Sequence, residues 1–225
     1  MPTLGRLLDH DARSRQFEAR RATKPRSVLW GHHAPVLDQG DLGACTGNAT
    51  AQLINTDFFE PSRSTQRPAL PSGFLTEADA VHIYSLATRL DGIASNTYPP
   101  TDEGSSGLGA AKAGKKLGYF TGYRHCFGFD HFAAAVQLQP VIVGTNWYEA
   151  MFTPDIQGFV WPRGAVQGGH EYLCLGISYE TKTLTFLNSW GDGWGRDGRF
   201  FMTFATFTKL LAEQGDATAP IGVSA

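Results

Sequence analysis

Residues 39–49 read Gln-Gly-Asp-Leu-Gly-Ala-Cys-Thr-Gly-Asn-Ala, so a glycine-rich loop leads directly into Cys45. The residues after this cysteine predict a helix that begins near it and ends before Pro61, with Leu53 and Phe58 on its apolar side. Unpaired N–H groups and the helix dipole favour an anion at a helix N-terminus, so we expect a lowered pKa for the Cys45 thiol. The stretch therefore indicates a nucleophilic thiolate. A buried structural cysteine is the alternative, because that is the commoner fate of a free thiol.

Two further motifs, far along the chain, carry a histidine and an asparagine. Gly168-Gly169-His170 precedes a predicted strand, and Asn188-Ser189-Trp190-Gly191 is followed by Trp194-Gly195 and Gly198. A lone asparagine is usually a turn residue, but the order cysteine, histidine, asparagine in these three contexts is improbable by chance. The three motifs are therefore treated together as one candidate site around the Cys45 thiol.

On these residues the sequence resembles the papain-like cysteine peptidases, from about Val28 to Phe204. The resemblance rests on Gln39, Gly43, Cys45, Gly169-His170, Asn188-Ser189-Trp190-Gly191, Trp194-Gly195 and Gly198. The step from Gln39 to Cys45 has the family's own length. The resemblance implies an α+β fold of two lobes, a helical N-terminal lobe and an antiparallel β C-terminal lobe, with the active-site cleft between them.

The resemblance also implies a role for each candidate site residue. Cys45 would be the nucleophile, His170 the general base and acid, and Asn188 the residue that orients the imidazole. The side chain of Gln39 and the N–H of Cys45 would form the oxyanion hole, where each donor contributes about 3 kcal/mol in comparable sites. Trp190 would shield the hydrogen bond between His170 and Asn188 from water. Peptide hydrolysis would then pass through a covalent thioester.

Four residues are expected to bind substrate. Gly104 and Ser105 precede a predicted helix, and by resemblance their backbone would hydrogen-bond an extended peptide; N-capping by a serine is the alternative explanation. Gly168 and Gly169 would border the pocket for the second substrate residue before the cut. Because neither glycine has a side chain, we expect that pocket to prefer a bulky apolar residue.

The sequence departs from the family's usual form at three places. Thr46 follows the cysteine where many members carry tryptophan. Glu171 follows His170 where a small apolar residue is common, and in a strand its side chain would point away from the imidazole. Residues 1–27 form a charged arm much shorter than the family's propeptides, so we expect it to brace the β lobe rather than to inhibit. This short form, without a disulfide pattern or secretory signal, resembles bacterial or bacteriophage-encoded members.

Composition divides the chain after the arm into two parts. Residues 28–118 predict a helical lobe that carries the nucleophile, with helices starting after Thr76 and after Ser106. Residues 119–225 predict a β lobe that carries the histidine and the asparagine. Its predicted elements are strands in the runs Val141–Val143, Tyr172–Tyr179, Leu184–Leu187 and Phe200–Phe204, and a last helix over Phe207–Gln214.

The overall composition limits the functional classes. The 225 residues are 42% hydrophobic and 18% charged, which excludes wholesale disorder. A net charge of −2 gives no reason to expect a nucleic acid or anionic membrane as partner, and no apolar run reaches the ~20 residues of a membrane helix. Cys45, Cys126 and Cys174 lack the spacing of a metal or redox site, so we expect no metal, no cofactor and a cytoplasmic protein with free thiols. Association with a larger assembly, including a virion, is left open.

Two other functions are left open beside a peptidase acting on peptides or proteins. Deamidation, transamidation and peptide ligation use the same cysteine, histidine and asparagine, and product masses would separate them from hydrolysis. A non-catalytic papain-fold binding or structural protein is the second alternative. Such proteins usually lack the cysteine or the histidine, and here both are present.

Overall fold

The computed structural model describes residues 2–20, 22, 24–59 and 73–221. The helices in these ranges are α1 (Cys45–Ile54), α2 (Glu77–Leu90), α3 (Gly107–Lys116), α4 (Phe129–Val136) and α5 (Phe204–Ala212). The strands are β1 (Arg6–Leu7), β2 (Val28–Leu29), β3 (Ser105–Ser106), β4 (Gly122–His125), β5 (Val141–Tyr148), β6 (Val166–Ser178), β7 (Thr183–Leu187), β8 (Arg199–Thr203) and β9 (Asp216–Ile221). The predicted end of the first helix, before Pro61, lies next to a range outside the described residues.

The starts of α2 and α3 follow from their capping residues. Thr76 donates its N–H to the Asp79 carboxylate at 2.8 Å before α2, and the Ser106 hydroxyl accepts from the N–H of Gly109 at 2.9 Å before α3. Such caps satisfy N–H groups that the first helical turn leaves without a partner. Both predicted helix starts are therefore confirmed, and the first residue of α3 directly follows β3.

The sheet is antiparallel and follows the order β4-β9-β5-β6-β7-β8, with β2 paired to β6. The predicted strands β5 to β8 are confirmed. Sequence reasoning missed β4, β9 and α4, because Gly122–His125 and Asp216–Ile221 show no clear alternation of apolar and polar residues. The two missed strands are defined by pairing with each other, and β9 also pairs with β5.

Helix α1 belongs to one of the two hydrophobic cores, to which it contributes Ala49, Ala51, Leu53 and Ile54, and it is buried along its whole length. Successive residues of β6 alternate between these cores: Tyr172 and Cys174 enter the core of the sheet, and Leu173 and Leu175 enter the core that contains α1. This packing brings the N-terminus of α1, at Cys45, beside the first half of β6. The expected α+β fold with two lobes is confirmed.

Residues predicted to start the helical lobe also contribute to the sheet, since Val28 pairs with Ile177 of β6. No helix within the described ranges is both long enough and apolar enough to cross a membrane.

Candidate active site

His170, in the first half of β6, lies beside Asn188, which directly follows β7. The Nε2 atom of His170 lies 2.7 Å from Oδ1 of Asn188, and both residues are fully buried. The backbone of Asn188 is held as well, because its carbonyl accepts a hydrogen bond from the Gln52 side chain at 3.2 Å. Among the described residues Nδ1 of His170 has no hydrogen-bond partner. With Nε2 donating to asparagine, Nδ1 is the nitrogen left to accept a proton from a thiol.

Two indole rings enclose the imidazole. Trp190 stacks on His170 with ring centroids 4.7 Å apart and an angle of 22° between the ring planes. Trp147 meets the same imidazole edge-on at 4.9 Å. Burial lowers the pKa of His170 to about 4, although the hydrogen bond to Asn188 acts in the opposite direction. The imidazole is therefore neutral at neutral pH in this state.

Cys45 is the first residue of α1, as predicted, and it is fully buried. Burial is the main cause of a raised pKa for its thiol, to about 12, and the charge of Glu171 raises it further. Hydrogen bonds from the backbone of Glu171, Gly5 and Thr46 act in the opposite direction but do not outweigh burial. The expected lowering of the Cys45 pKa is therefore wrong for this state of the molecule, because the helix N-terminus cannot compensate for the loss of water.

Both the nitrogen and the oxygen of the Gln39 side-chain amide form hydrogen bonds next to the loop that precedes Cys45. Its Nε2 group donates to the carbonyl oxygen of Leu42 at 2.9 Å and to that of Thr3 at 3.1 Å. Its Oε1 atom accepts from the hydroxyl of Ser189 at 2.7 Å. The backbone carbonyl of Thr3 thus already accepts a hydrogen bond from the side-chain amide of Gln39, which the sequence predicts as an oxyanion donor.

Asp102, a residue of the helical lobe, binds the loop that precedes Cys45. No sequence motif indicates this role of Asp102. The N–H of Gly43 lies 3.1 Å from both of its carboxylate oxygens, and the Tyr84 hydroxyl donates to Oδ1 at 2.6 Å. The same hydroxyl accepts from the N–H of Gly104 at 3.1 Å. The loop before Cys45 is therefore tied to the predicted substrate-binding stretch.

The first residues of the arm lie in the cleft between the lobes. The N–H of Ser105 donates to the carbonyl of Gly5 at 2.8 Å, and the N–H of Gly5 donates to the carbonyl of Gly169 at 3.3 Å. Strand β1 pairs in parallel with β3. A Cβ at Gly104 would overlap the Gly5 carbonyl, and one at Gly168 would lie 3.1 Å from a methyl carbon of Leu4. The four predicted substrate-binding residues thus all contact the chain's own arm.

The expectation that the arm only braces the β lobe is wrong for these residues. Farther along, the arm does brace it, because Phe17 and Ala19 exchange backbone hydrogen bonds with His125 of β4. A separate inhibitory domain is not needed to fill the cleft. The cleft itself offers backbone donors and acceptors, so a short extended segment satisfies them.

The side chain of Arg6 fills a pocket next to Gly169, which we name the Arg6 pocket. It is enclosed by Gly107, Gly144, Gly169, Glu171 and Asp216. The Arg6 side chain is only 1% exposed. Its Nε donates to Oδ2 of Asp216 at 3.0 Å, its Nη2 reaches the same oxygen, and Nη2 also donates to the Gln214 carbonyl at 2.7 Å. The pocket beside Gly169 is therefore acidic, and the expectation of an apolar pocket there does not fit it.

Glu171 provides the second carboxylate of the Arg6 pocket. As expected for a strand, its side chain lies on the face opposite to His170, where a Cβ at Gly144 would meet both Glu171 and Arg6. Neither of its carboxylate oxygens has a hydrogen-bond partner among the described residues. Burial raises the pKa of Glu171 well above its usual value, Asp216 raises it further, and Arg6 lowers it.

Comparison with solved structures gives matches along nearly the whole chain. Xylellain, a cysteine protease from Xylella fastidiosa, has a TM-score of 0.65 at 21% identity, over 98% of this chain and 96% of the other. The bromelain protease from Ananas comosus in complex with the E64 inhibitor has a TM-score of 0.60 at 16% identity, over 89% of this chain and 100% of the other. Digestive procathepsin L 3 of the Tenebrio molitor larval midgut has a TM-score of 0.60 at 16% identity, over 93% and 77% of the two chains.

A scan of protein-family models gave no match, and a search of curated proteins gave none either. The structural similarity, at these identities, concerns the arrangement of helices and strands. The chain has the fold of the papain-like cysteine proteases.

Proposed function

We propose that the protein is a cysteine-type peptidase that hydrolyses peptide bonds with Cys45, His170, Asn188 and Gln39. The observation that carries the proposal is the bound arm: a polypeptide lies along the cleft with one carbonyl on the Gln39 amide, close to Cys45. Its backbone uses Ser105 and Gly169 as hydrogen-bond partners. A cleft that holds extended polypeptide in this way is suited to a peptide substrate.

The chemistry follows from the positions of the side chains. When substrate replaces the arm, Nδ1 of His170 takes the thiol proton, and the thiolate attacks the scissile carbonyl. Negative charge then develops on the carbonyl oxygen, where the Gln39 amide and the N–H of Cys45 stabilise it. The protonated His170 donates its proton to the leaving amine, and a thioester with Cys45 remains. A water molecule, deprotonated by His170, hydrolyses the thioester and restores the thiol.

Asn188 fixes the imidazole in the tautomer that this sequence of steps needs. By accepting from Nε2, its amide leaves Nδ1 free to exchange protons with sulfur. An asparagine does this without adding charge, so the imidazolium that forms is stabilised mainly by the thiolate beside it. Trp190 covers the ring face and excludes water from the bond between His170 and Asn188.

The test uses the full chain with the arm displaced. A Cβ at Gly5 would overlap the backbone oxygen of Gly43, so Gly5→Ala prevents the arm from seating without changing any residue of the proposed machinery. A backbone overlap costs about 1–3 kcal/mol, so we expect hydrolysis of a fluorescent casein to rise by about tenfold or more over the unchanged chain. Gly193→Ala is the matched control, because nothing lies within 4 Å of a Cβ there.

Cys45→Ala, introduced together with Gly5→Ala, should abolish hydrolysis. Mass spectrometry of the products separates the remaining alternatives, because hydrolysis adds water across a backbone bond and deamidation changes a side chain without cleavage. A folded Gly5→Ala variant that cleaves no peptide bond would refute the proposal and favour a binding protein.

A further inference from the structure

Asp102 contacts the loop before Cys45 at the peptide bond between Leu42 and Gly43. The N–H of Gly43 lies 3.1 Å from both carboxylate oxygens of Asp102. The carbonyl of Leu42, in the same peptide unit, accepts a hydrogen bond from Nε2 of Gln39 at 2.9 Å. Because a peptide unit is planar, fixing its N–H also fixes the direction of its carbonyl. Asp102 therefore orients the carbonyl that binds the Gln39 side chain.

This orientation matters because the Gln39 amide has two N–H donors. Its Nε2 atom donates to the Leu42 carbonyl inside the loop and to the carbonyl of Thr3, which lies in the cleft. The bond inside the loop thus aims the second donor at the place where a substrate carbonyl would develop negative charge. Rotation of the peptide bond between Leu42 and Gly43 would turn that donor away.

The glycines of this loop leave its backbone free to rotate unless another segment holds it. Gly40 has a φ of +57°, and Gly43 has no side chain to restrict its rotation. A Cβ at Gly43 would lie 3.1 Å from Oδ1 of Asp102 and 3.3 Å from the N of Gly104, so a side chain there would crowd both. The absence of a side chain at Gly43 thus allows the close approach that brings its N–H to Asp102.

Asp102 is itself held from α2. The Tyr84 hydroxyl donates to its Oδ1 atom at 2.6 Å and accepts from the N–H of Gly104 at 3.1 Å. Burial raises the pKa of Tyr84 above its ordinary value, and the hydrogen bond to Asp102 raises it further, so the hydroxyl keeps the proton that it donates. Hydrogen bonds to a carboxylate are short and strong. Although Asp102 is exposed to solvent, these bonds give its carboxylate a fixed position.

The same contacts reach the backbone that binds the peptide in the cleft. The carbonyl of Gly104 accepts a hydrogen bond from Nδ2 of Asn96 at 2.8 Å. The N–H of Ser105 belongs to the same peptide unit as that carbonyl and donates to the carbonyl of Gly5 at 2.8 Å. One series of hydrogen bonds thus joins the Gln39 donor to the donor that binds an extended peptide.

We infer that Asp102 is a positioning residue of the proposed reaction: it holds the Leu42 carbonyl, and through it the Gln39 amide, in the orientation that stabilises the oxyanion. This inference rests on the proposed function, because it assigns a residue outside the cleft a role in the same reaction. The carboxylate of Asp102 acts through Gln39, so its removal should affect the reaction only while Gln39 is present.

The experiment uses the full chain in the Gly5→Ala background, so that the arm is displaced. Asp102→Ala should lower kcat by about tenfold and change KM by less than about twofold, because a misdirected oxyanion donor weakens binding of the transition state and not of the substrate. Asp102→Asn keeps an acceptor oxygen for Gly43 and Tyr84, so it should restore most of kcat. An asparagine variant as slow as the alanine variant would refute this role.

A double-mutant cycle distinguishes positioning from a general loss of structure. With Gln39→Ala also present, Asp102→Ala should lower kcat by no more than about twofold, because residues that act through one another are not additive. An equal loss of kcat with and without Gln39 would overturn the inference, as would an effect on KM alone. Asp155→Ala is the matched control and should leave kcat unchanged, since this exposed carboxylate also accepts backbone N–H groups of its own loop, those of Gln157 and Phe159.

If Asp102→Ala does not fold, Tyr84→Phe is measured in the same cycle, because it removes only the hydroxyl that holds Asp102. Its kcat should fall by about threefold while Gln39 is present and by less than that in Gln39→Ala. Equal losses in the two backgrounds would again overturn the inference.

A spectroscopic measurement separates this inference from the proposed function. In the isotopically labelled Gly5→Ala chain, the side-chain amide signals of Gln39 in NMR spectra are assigned by their loss in Gln39→Ala. Asp102→Ala should shift these signals, and Asp155→Ala should not. A shift in a chain that cleaves no peptide bond would keep the positioning role of Asp102 and refute the peptidase. Cleavage that Asp102→Ala leaves unchanged would keep the peptidase and refute the positioning role.

Discussion

At the scale of single residues, the burial of the Cys45 and His170 side chains sets their ionisation. Burial raises the pKa of Cys45 to about 12 and lowers that of His170 to about 4. Thiol and imidazole are then both neutral at neutral pH, so the thiolate–imidazolium pair does not form while the arm is seated. Displacement of the arm returns water to the cleft and brings both pKa values nearer to their ordinary range.

Alkylation of Cys45 reports this change directly. In the unchanged chain we expect iodoacetamide to label Cys45 slowly even at about pH 8, because the buried thiol remains protonated and covered. Gly5→Ala should increase the labelling rate by about tenfold or more, and Gly193→Ala should leave it unchanged. Mass mapping of the labelled cysteine is the measurement. Rapid labelling of Cys45 in the unchanged chain would show that the arm does not protect it.

Gln39 is expected to act on the transition state more than on substrate binding. In the Gly5→Ala background, Gln39→Ala should lower kcat by about 10²-fold and change KM little, since an oxyanion donor acts mainly on developing charge. Ser189→Ala removes only the hydroxyl that holds Oε1 of Gln39, so its effect should be smaller. Steady-state kinetics on one peptide measures both, and a purely KM-directed effect of Gln39→Ala would contradict the assigned role.

Arg6 should stabilise the fold in a pH-dependent way. The folded-state pKa of Glu171 is raised above its ordinary value of 4.5, so stability from this group is present at lower pH and is lost as pH rises through the folded value. Arg6 lowers that pKa, and Arg6→Ala raises it further. We therefore expect the penalty of Arg6→Ala to be smaller at about pH 4.5, where the buried carboxyl is protonated in both chains, than at a pH above the folded-state pKa of Glu171 in the unchanged chain, where it reaches roughly 3–5 kcal/mol.

Thermal unfolding at the two pH values measures this effect. Arg15→Ala, which removes an exposed arginine of the same arm, is the matched control and should change stability little at either pH. A stability penalty of Arg6→Ala that is independent of pH would mean that Arg6 does not affect the pKa of Glu171.

At the scale of elements, the position of Cys45, the proposed nucleophile, depends on how closely α1 approaches α2. A Cβ at Gly47 would overlap the carbonyl oxygen of Ala80 and lie 2.8 Å from the N of Tyr84, so only glycine permits this approach. Gly47→Ala should force the helices apart and cost about 1–3 kcal/mol of the free energy of unfolding. Urea denaturation measures this loss of stability, with Gly193→Ala as the control. An unchanged midpoint would show that α1 and α2 can move apart without loss of stability.

At the scale of the whole molecule, the arm acts as a ligand tethered to its own site. A short tether gives an effective concentration of about 1 mM, so even weak segment binding keeps the cleft closed. A synthetic peptide of residues 2–10 should therefore inhibit the Gly5→Ala variant at concentrations below about 1 mM, because a segment with a higher dissociation constant would leave the cleft open even when tethered. The same peptide with leucine in place of Arg6 should inhibit about tenfold less, and competitive inhibition kinetics compares the two.

Equal inhibition by the two peptides would contradict a contribution of the Arg6 side chain to arm binding. Absence of inhibition at about 1 mM would contradict closure of the cleft by binding of the tethered segment.

Local patterns were sufficient to predict much of the fold and to propose the residues of the site. Thr76 and Ser106 predict helix starts because a cap acts within one turn, and the apolar runs of β5 to β8 predict strands because their side chains alternate across a sheet. Cys45, His170 and Asn188 stand in motifs whose residues are near neighbours in sequence. Asp102 could not be found in this way, because it contacts the loop before Cys45 only through the folded chain.

The sequence by itself determined the fold class and the proposed catalytic residues, because the short motifs that carry the family resemblance are complete within it. Only the tertiary structure decided what fills the cleft and which charges surround it. Thr3 reaches Gln39, and Arg6 reaches Glu171 and Asp216, across long sequence separations that no local pattern encodes. The same burial reversed the expected pKa of Cys45, because the desolvation that raises it depends on every segment packed around the thiol.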